Sequence, residues 1–431
     1  MSEAAPPASR TPPKITRGEW ALILVLVAIQ FTHMVDFVII MPLGKRLMGE
    51  LDIGPAEFGW IVAVYAIAAG VASFLGCLAM DRFDRRSVLL SMYGGFALST
   101  LLCGLAPSYA WLLVARTLAG VFGGLASVSI MAVIGDVFPA EKRGRATGAL
   151  TSAFAVASVV GLPIGLVLAD HFGRGAPFVV LAALSAVVWV LAAVRLPQVR
   201  GHLAHARGGT WAEFRAVIAE PNHRRAFAFS FFLALGTFTV ASFIAPYFST
   251  LNGWTENDMA VLYCAAGVFT LIGMGFVGRM ADRFPRLTLF RVLGGVTAVA
   301  ALVVTNLPPG PLWVGAVAFS LFMVSAAGRM VPAQAMLLGA ARPQNRGAFM
   351  SLNTAVQHLS TGIAPLIAGS LVTKHADGPM TGFPAVGLVA VLFTLISLLL
   401  AGRVRTTAVI AVPQQPAPGL AAEAPEPVAA A

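Results

Sequence analysis

Long apolar stretches, separated by short polar breaks, dominate this chain. Twelve of them have the length of about 20 residues that an α-helix needs to cross a lipid bilayer. They cover residues 20–43, 57–79, 87–106, 110–137, 145–169, 176–195, 225–249, 257–281, 287–306, 312–339, 346–373 and 383–403. Inside a bilayer every backbone polar group needs a partner within the protein, which a helix supplies by itself. The sequence therefore predicts an all-α membrane protein with twelve transmembrane helices.

The composition excludes a soluble protein with a wetted exterior. Only 11% of the 431 residues are charged and 58% are hydrophobic, whereas a soluble domain has about 25% charged residues. The formal net charge of +10 does not indicate nucleic-acid binding, because the basic residues lie in short runs between apolar stretches. Cys77, Cys103 and Cys264 lie in apolar segments and are interpreted as small packing residues.

The distribution of lysine and arginine predicts the orientation. Most of the 29 basic residues lie in the two tails, the even-numbered loops and the central linker. The odd-numbered loops hold only Lys45, Arg46, Arg174 and Lys374. Because basic residues are retained on the cytoplasmic side, we expect a multi-pass protein with both termini in the cytoplasm.

Three short motifs of the first half recur in the second half about 200 residues later and in the same order. The pairs are residues 81–85 with 282–286, 139–144 with 342–347, and 161–163 with 363–365. This repeat predicts two pseudo-symmetric six-helix bundles. Transporters built in this way bind substrate near the bilayer midplane, between the halves.

The expected domain boundaries follow from the apolar stretches and their breaks. We predict a disordered N-terminal tail (1–17), a first six-helix bundle (18–195), a cytoplasmic linker (196–224), a second bundle (225–405) and a disordered C-terminal tail (406–431). Within the linker, residues 211–218 are interpreted either as a short amphipathic helix at the membrane interface or as plain linker.

The sequence resembles the major facilitator superfamily over all of its length except the two tails. Residues 81–86 resemble the signature between helices 2 and 3, Gly-x-Leu-Ala-Asp-Arg-x-Gly-Arg-Arg, although Cys77 and Asp84 replace its glycines. Arg116 and Gly120 match the helix 4 signature, and residues 161–165 resemble the antiporter signature of helix 5 with Leu162 inserted. The resemblance is nearest to the bacterial drug:proton antiporter branch with twelve spans, which includes arabinose-efflux-permease-like proteins. It implies a secondary transporter of the bacterial inner membrane.

Asp36 is the acidic residue that lies well inside a predicted span, where an ionisable group indicates function by default. Arg116 of the fourth span is its natural partner, because both are expected about 10 Å below the outer surface at ~1.5 Å rise per residue. Burial raises the pKa of a carboxyl group and a nearby guanidinium lowers it, so a change in their separation would move a proton. The alternative is a fixed ion pair. His33, three residues before Asp36, is either a proton relay or a packing residue.

A second polar cluster is predicted in the second half. Arg329 interrupts the tenth span, Gln334 follows it, and the eleventh span adds Asn353, Gln357 and His358. We interpret these residues as candidates for the substrate cavity. Arg329 has an alternative interpretation, in which it closes the cytoplasmic side by bonding to carbonyls at helix ends. Gln357 and His358 are neighbours in sequence and cannot share one helix face.

The resemblance implies a cytoplasmic gate of charged pairs between helices. The matching residues are Asp81, Arg82, Arg85, Arg86, Asp282 and Arg283. Charges that only set the topology are the alternative for the arginines. In the helix-packing motifs, Gly120, Gly161, Pro163 and Gly165 are expected to allow close packing and a bend.

We therefore expect proton-coupled efflux of a small organic molecule such as a drug-like compound or a sugar. A uniporter or a proton-coupled importer is the alternative within transport, and a membrane enzyme or sensor is the alternative from another class. The chain has no phosphate-binding glycine-rich loop and no metal-ligand spacing. We expect no cofactor, no metal, protons as the coupling ion, a small-molecule substrate, contact with membrane lipid, no nucleic acid, a monomer and no enzyme activity.

Overall fold

The structure is a computed structural model that describes residues 15–79, 83–198, 211–341, 345–375 and 380–405. These residues form sixteen α-helices and one π-helical turn, and the one β-type pairing among them is an isolated bridge between Thr373 and Thr381. The predicted tails and residues 199–210 of the linker lie largely or wholly outside the described residues.

The helices of the first half are α1 (Arg17–Ile39), α2 (Gly44–Glu50), α3 (Pro55–Ala79), α4 (Arg85–Gly104), α5 (Tyr109–Val137), α6 (Ala140–Val156), the π turn (Ala157–Gly161), α7 (Leu162–Phe172) and α8 (Ala176–Arg195). After α9 (Trp211–Ala219), the second half contains α10 (Pro221–Ala241), α11 (Ile244–Asn252), α12 (Glu256–Arg283), α13 (Arg286–Thr305), α14 (Leu312–Ala340), α15 (Arg346–Leu371) and α16 (Phe383–Ala401).

Twelve helical segments correspond to the twelve predicted spans. Ten of the described segments are long and apolar enough to cross a membrane on length and composition alone. The other two are the fifth span, which runs through α6, the π turn and α7, and the eleventh, α15. The predicted all-α membrane fold with two six-helix bundles is confirmed.

The first and seventh spans break at equivalent places. α1 ends at Ile39 and the chain continues as α2, while α10 ends at Ala241 and the chain continues as α11. α2 and α11 pack against each other. A Cβ atom at Gly44 would lie 2.5 Å from Pro246 Cγ, so this approach requires a glycine. We term the face that carries α2 and α11 the outer face, following the predicted orientation, and the opposite face, which carries α9, the inner face.

The two bundles meet along two seams. In the first, α3 lies beside α15, where a Cβ at Gly59 would stand 2.7 Å from the carbonyl oxygen of Pro365. In the second, α7 and the π turn lie beside α12, where a Cβ at Gly267 would stand 2.7 Å from Val159 Cγ2. Glycines on both seams thus let backbones of opposite bundles approach closely, a geometry that suits sliding helices better than interlocked large side chains.

The fifth span contains a π turn at its antiporter-like motif. Pro163 lies in the first turn of α7, directly after the π turn, where its missing N–H disturbs no hydrogen bond of a regular helix. A Cβ at Gly161 would collide with Val35 of α1, and one at Gly165 would lie 2.5 Å from Ile39 Cδ1. The motif therefore lets the fifth span pack directly on the helix that carries Asp36.

Candidate functional site

Asp36 and Arg116 form an ion pair that is sealed from solvent in the first bundle. Both are 0% exposed, and Arg116 Nη1 donates to Asp36 Oδ2 at 3.0 Å and to the Asp36 carbonyl oxygen at 3.1 Å. Thr100 Oγ1 of α4 donates to the other carboxylate oxygen at 3.3 Å. The pair thus joins α1 to α5 and α4, and its carboxylate is satisfied by partners on two helices.

The guanidinium of Arg116 also rests on an aromatic ring. Its Cζ atom lies 4.2 Å from the ring centroid of Tyr65, within the range of a cation–π contact. The carbonyl of Tyr65 touches the position that a Cβ at Gly120 would take, so the helix 4 signature glycine lets α3 and α5 approach. Nε and Nη2 of Arg116 have no hydrogen-bond partner among the described residues. One face of the cation is therefore available for a new partner if Asp36 releases it.

His33 lies one turn before Asp36 on the same helix and is 3% exposed. Its Nδ1 is 3.3 Å from Ser127 Oγ, and its Nε2 has no partner in the described part of the chain. The hydroxyl of Tyr65 has no partner there either. Both atoms point towards Gly123, since a Cβ at that glycine would lie 2.8 Å from Nε2 and 3.0 Å from the hydroxyl. The side chain of Tyr65 thus contacts Arg116 through its ring and approaches His33 through its hydroxyl.

Aromatic contacts continue from this site to the second bundle. The rings of His33 and Tyr65 are 6.0 Å apart, those of Tyr65 and Phe37 are 5.6 Å apart, and those of Phe37 and Phe238 are 6.0 Å apart. Phe238 belongs to α10. Two rings, those of Tyr65 and Phe37, therefore connect the buried pair with Phe238 of the second bundle.

The predicted cavity residues of the second half do not form one cluster. Arg329 is 0% exposed and donates to Thr237 Oγ1 at 2.7 Å, Thr394 Oγ1 at 3.3 Å and the carbonyl of Leu233 at 3.4 Å. None of the ion pairs among the described residues includes Arg329. These contacts hold α14 against α10 and α16, and both predicted roles of Arg329, in the substrate cavity and in closing the cytoplasmic side, stay predictions.

The other four residues point in different directions. Gln357 donates to Ser230 Oγ of α10 at 3.0 Å, whereas His358 lies on the α3 seam, where a Cβ at Gly70 would be 3.0 Å from its Cβ. Asn353 is 1% exposed, and its Oδ1 has no partner in the described chain. Gln334 is half-buried. As expected for sequence neighbours, Gln357 and His358 contact different helices.

The inner charged residues make contacts within the first bundle. Arg85 Nε donates to Asp136 Oδ2 at 2.9 Å, and Arg86 Nη2 donates to the carbonyl of Ala193 at 2.6 Å. Asp81 and Arg82 lie outside the described residues. In the second half, Asp282 and Arg283 are exposed. The proposed gate role of these residues stays a prediction.

An ion-pair cluster on the outer face was not predicted. Arg46 Nε donates to Glu256 Oε1 of the second bundle, and Arg46 Nη1 donates to the carbonyl of Ala169 at 2.6 Å. Glu50 and Asp170 lie at 3.9 and 4.0 Å from the same guanidinium. We term Arg46, Glu50, Asp170 and Glu256 the outer charge cluster. It ties the end of the first span to the start of the eighth.

Two lysines also cross between the bundles on this face. Lys45 donates to the carbonyl of Ser249 at 3.0 Å, and Lys374 donates to that of Met48 at 3.3 Å. Arg174 joins the cluster through Glu50 at 3.3 Å. All four basic residues of the predicted outer loops therefore make contacts here. The sequence signal for these contacts was the presence of four basic residues in outer loops that otherwise hold none.

These features define a membrane protein with two helix bundles, each with buried polar residues, and with the outer ends of the bundles held together. The profile of the Major Facilitator Superfamily matches residues 26–328 and 226–430. The chain belongs to this superfamily of transporters.

Known relatives agree with this assignment. The chain is 28% identical over 364 residues to the uncharacterized MFS-type transporter YceJ of Bacillus subtilis (strain 168), covering 83% of this chain and 91% of YceJ. It is 28% identical over 370 residues to the multidrug resistance protein MdtG of Enterobacter lignolyticus (strain SCF1), covering 83% and 84%. A crystal structure of a bacterial homolog to human lysosomal transporter Spinster, inward-facing and occupied, shares the fold with a TM-score of 0.72 at 16% identity, covering 90% of this chain and 98% of that one.

Proposed function

We propose that this transporter is a proton-coupled antiporter that exports a small organic molecule, such as a drug-like compound or a sugar, by alternating access. The observation that carries the proposal is the sealed pair of Asp36 and Arg116 beside the bundle boundary. Protons serve as the coupling ion, and no cofactor takes part. The name of the relative MdtG, a multidrug resistance protein, supports export of drug-like molecules.

Protonation of Asp36 changes what Arg116 can bind. A neutral carboxyl no longer balances the guanidinium, which is costly for a cation at 0% exposure. Arg116 then keeps its bond to the Asp36 carbonyl and its place over Tyr65, but it loses its counter-charge. Substrate that enters from the bundle boundary displaces the ring of Phe37 and binds the state in which Asp36 is ionised and paired with Arg116. Substrate and proton therefore compete at one site, and substrate binding releases the proton.

The first span provides a route from this site to the outer face. Asp36 lies one turn before the end of α1 at Ile39, and the chain then leads through a short turn into α2 with Arg46. Arg46 binds Glu256 of the second bundle. A shift of α1 that follows protonation therefore acts on a contact that keeps the outer ends together. This connects proton uptake with opening of the outer side.

The test is proton release from the purified protein in weakly buffered detergent solution with a pH-sensitive dye. Ethidium and arabinose serve as probe ligands for the drug-like and sugar classes. Wild type is expected to release protons with at least one of them, and Asp36→Asn is expected to lose the release. Glu141→Gln, which removes an exposed carboxylate of α6, is the control and retains it.

Three results would refute the proposal. Undiminished release from Asp36→Asn would show that another group carries the proton. Wild-type flux that is independent of pH in proteoliposomes would indicate a uniporter, whereas substrate uptake in the direction of the proton gradient would indicate a proton-coupled importer.

We also propose that the protein is a monomer in the bacterial inner membrane with both termini in the cytoplasm. The bias of lysine and arginine supports this orientation. In a background without native cysteines, an impermeant maleimide is expected to label Gly310→Cys in intact cells but Arg403→Cys only after lysis. Both positions are exposed. Labelling in the reverse order would invert the assignment.

A further inference from the structure

The helix between the bundles, α9, contacts both of them. Phe214 is 2% exposed and packs edge-on against Phe74 of α3, with ring centroids 5.4 Å apart. Val217 is 0% exposed, and its carbonyl accepts a hydrogen bond from His223 Nδ1 of α10 at 3.0 Å. Residues 211–218, for which the sequence allows an amphipathic helix or plain linker, are helical, and one face of this helix is fixed against the protein.

A second face of α9 combines large apolar side chains with a cation. Trp211 is 67% exposed, Ile218 is 47% exposed and Arg215 is exposed. At about 100° per residue these three positions fall within an arc of roughly 60°. This stripe is centred about a quarter turn away from Phe214 and Val217. A helix that lies flat on a membrane beside a protein has this arrangement, with one side against protein and the adjacent side against lipid.

The position of α9 in the chain places it at the membrane surface. It ends at Ala219, and the membrane-spanning helix α10 begins at Pro221, so little chain separates the two. Tryptophan is enriched where headgroups meet hydrocarbon. Arg224 and Arg225, both exposed in the first turns of α10, add positive charge at the same level. No carboxylate in the described chain forms an ion pair with Arg215 within 4.0 Å.

We propose that the stripe of Trp211, Arg215 and Ile218 binds the headgroup region of anionic phospholipids in the inner leaflet. The apolar side chains enter the outer part of the acyl layer, and the guanidinium binds a headgroup phosphate. Anionic lipid is preferred because in zwitterionic lipid a headgroup cation offsets the charge of the phosphate. The occupant is lipid and not a soluble protein, because a single residue separates α9 from the membrane-spanning helix α10, which holds the stripe at the level of the headgroups. Lipid bound here contacts the helix that links Phe74 of the first bundle to the second.

The experiment uses the full chain in nanodiscs and measures tryptophan fluorescence. The signal of Trp211 is the difference between wild type and Trp211→Phe. Two bilayers contain the same mole fractions of phosphatidylglycerol and phosphatidylcholine. In one bilayer only the phosphatidylglycerol carries brominated acyl chains, and in the other only the phosphatidylcholine does. Brominated chains quench nearby tryptophan. Trp313→Phe is the matched control, because Trp313 is 69% exposed at the outer end of α14 with no arginine within four residues.

Brominated phosphatidylglycerol is expected to quench Trp211 roughly threefold more than brominated phosphatidylcholine does. Trp313 should show no such preference. Arg215→Gln should abolish the preference at Trp211 while leaving it accessible to brominated lipid. Equal quenching of Trp211 by both lipids in wild type would overturn the anionic selection. Quenching by aqueous iodide but not by either brominated lipid would place the stripe in water and overturn the proposal. Neither result depends on proton coupling, so failure here leaves the proposed function untouched.

Discussion

Neutralising Asp36 should destabilise the protein, because it leaves the guanidinium of Arg116 buried without a counter-charge. Removing one partner of a buried ion pair costs about 3–5 kcal/mol. Arg116 would keep the Asp36 carbonyl at 3.1 Å and the Tyr65 ring at 4.2 Å, and a desolvated cation–π contact is worth about 2 kcal/mol. We therefore expect the cost of Asp36→Asn at the low end, about 3 kcal/mol.

The double variant separates the charge effect from a packing effect. Asp36→Asn with Arg116→Gln removes both charges and retains polar groups of similar shape, so its stability should return to within about 1 kcal/mol of wild type. The two single changes would then be non-additive by at least ~2 kcal/mol. Reversible unfolding in mixed micelles, followed by the fluorescence of the 7 tryptophans, measures each value.

The control is a pair with more solvent access. Glu50 and Arg174 are 3.3 Å apart with side chains 44% and 22% exposed, so Glu50→Gln should cost at most about 1 kcal/mol. Additive costs of the two buried variants would refute the electrostatic reasoning. An Asp36→Asn variant as stable as wild type would show that the carboxyl group carries no charge in the paired state.

Two further predictions concern the outer face and the Tyr65 ring that contacts Arg116. Glu256→Gln should weaken the bond with Arg46, whose side chain is 24% exposed, by about 1 kcal/mol. The outward-open fraction should then rise roughly fivefold. Faster maleimide labelling of a cysteine beneath the outer face measures this rise, and an unchanged labelling rate contradicts the prediction. Tyr65→Leu should reduce ligand-induced proton release roughly fivefold or more, because Arg116 loses its contact with an aromatic ring. Tyr65→Phe retains the ring and should retain the proton release. Equal losses of proton release in the two variants would assign the effect to the hydroxyl.

The contact of Asp36 with Arg116 could be predicted because it depends on the depth of each residue along its helix, which the sequence gives. The rise per residue in a helix and the bounds of two spans give each side chain a depth. Few ionisable side chains are buried inside a bilayer, so a carboxylate and a guanidinium at the same depth have few other partners. The ion pair at 3.0 Å follows from these constraints.

The outer charge cluster could not be predicted in the same way. Arg46, Glu256 and Asp170 lie at the ends of three different spans, and their meeting depends on how α2 bends away from α1 and how closely α7 approaches α12. No periodic pattern in the sequence encodes the bend of α2 or the distance between α7 and α12. The partners of Arg329 were also hidden, because Thr237 and Thr394 are common residues in apolar helices and gave no signal.

The two bundles share a fold but differ in how they hold a buried cation. Arg116 is balanced by a carboxylate, whereas Arg329 is held by two threonine hydroxyls and a carbonyl. A proton can neutralise a carboxylate, but threonine hydroxyls and a carbonyl do not titrate in the physiological range. Among the described contacts, protonation therefore alters the support of Arg116 and leaves that of Arg329 unchanged. This asymmetry is the reason why the proposed proton coupling is placed in the first bundle, at Asp36.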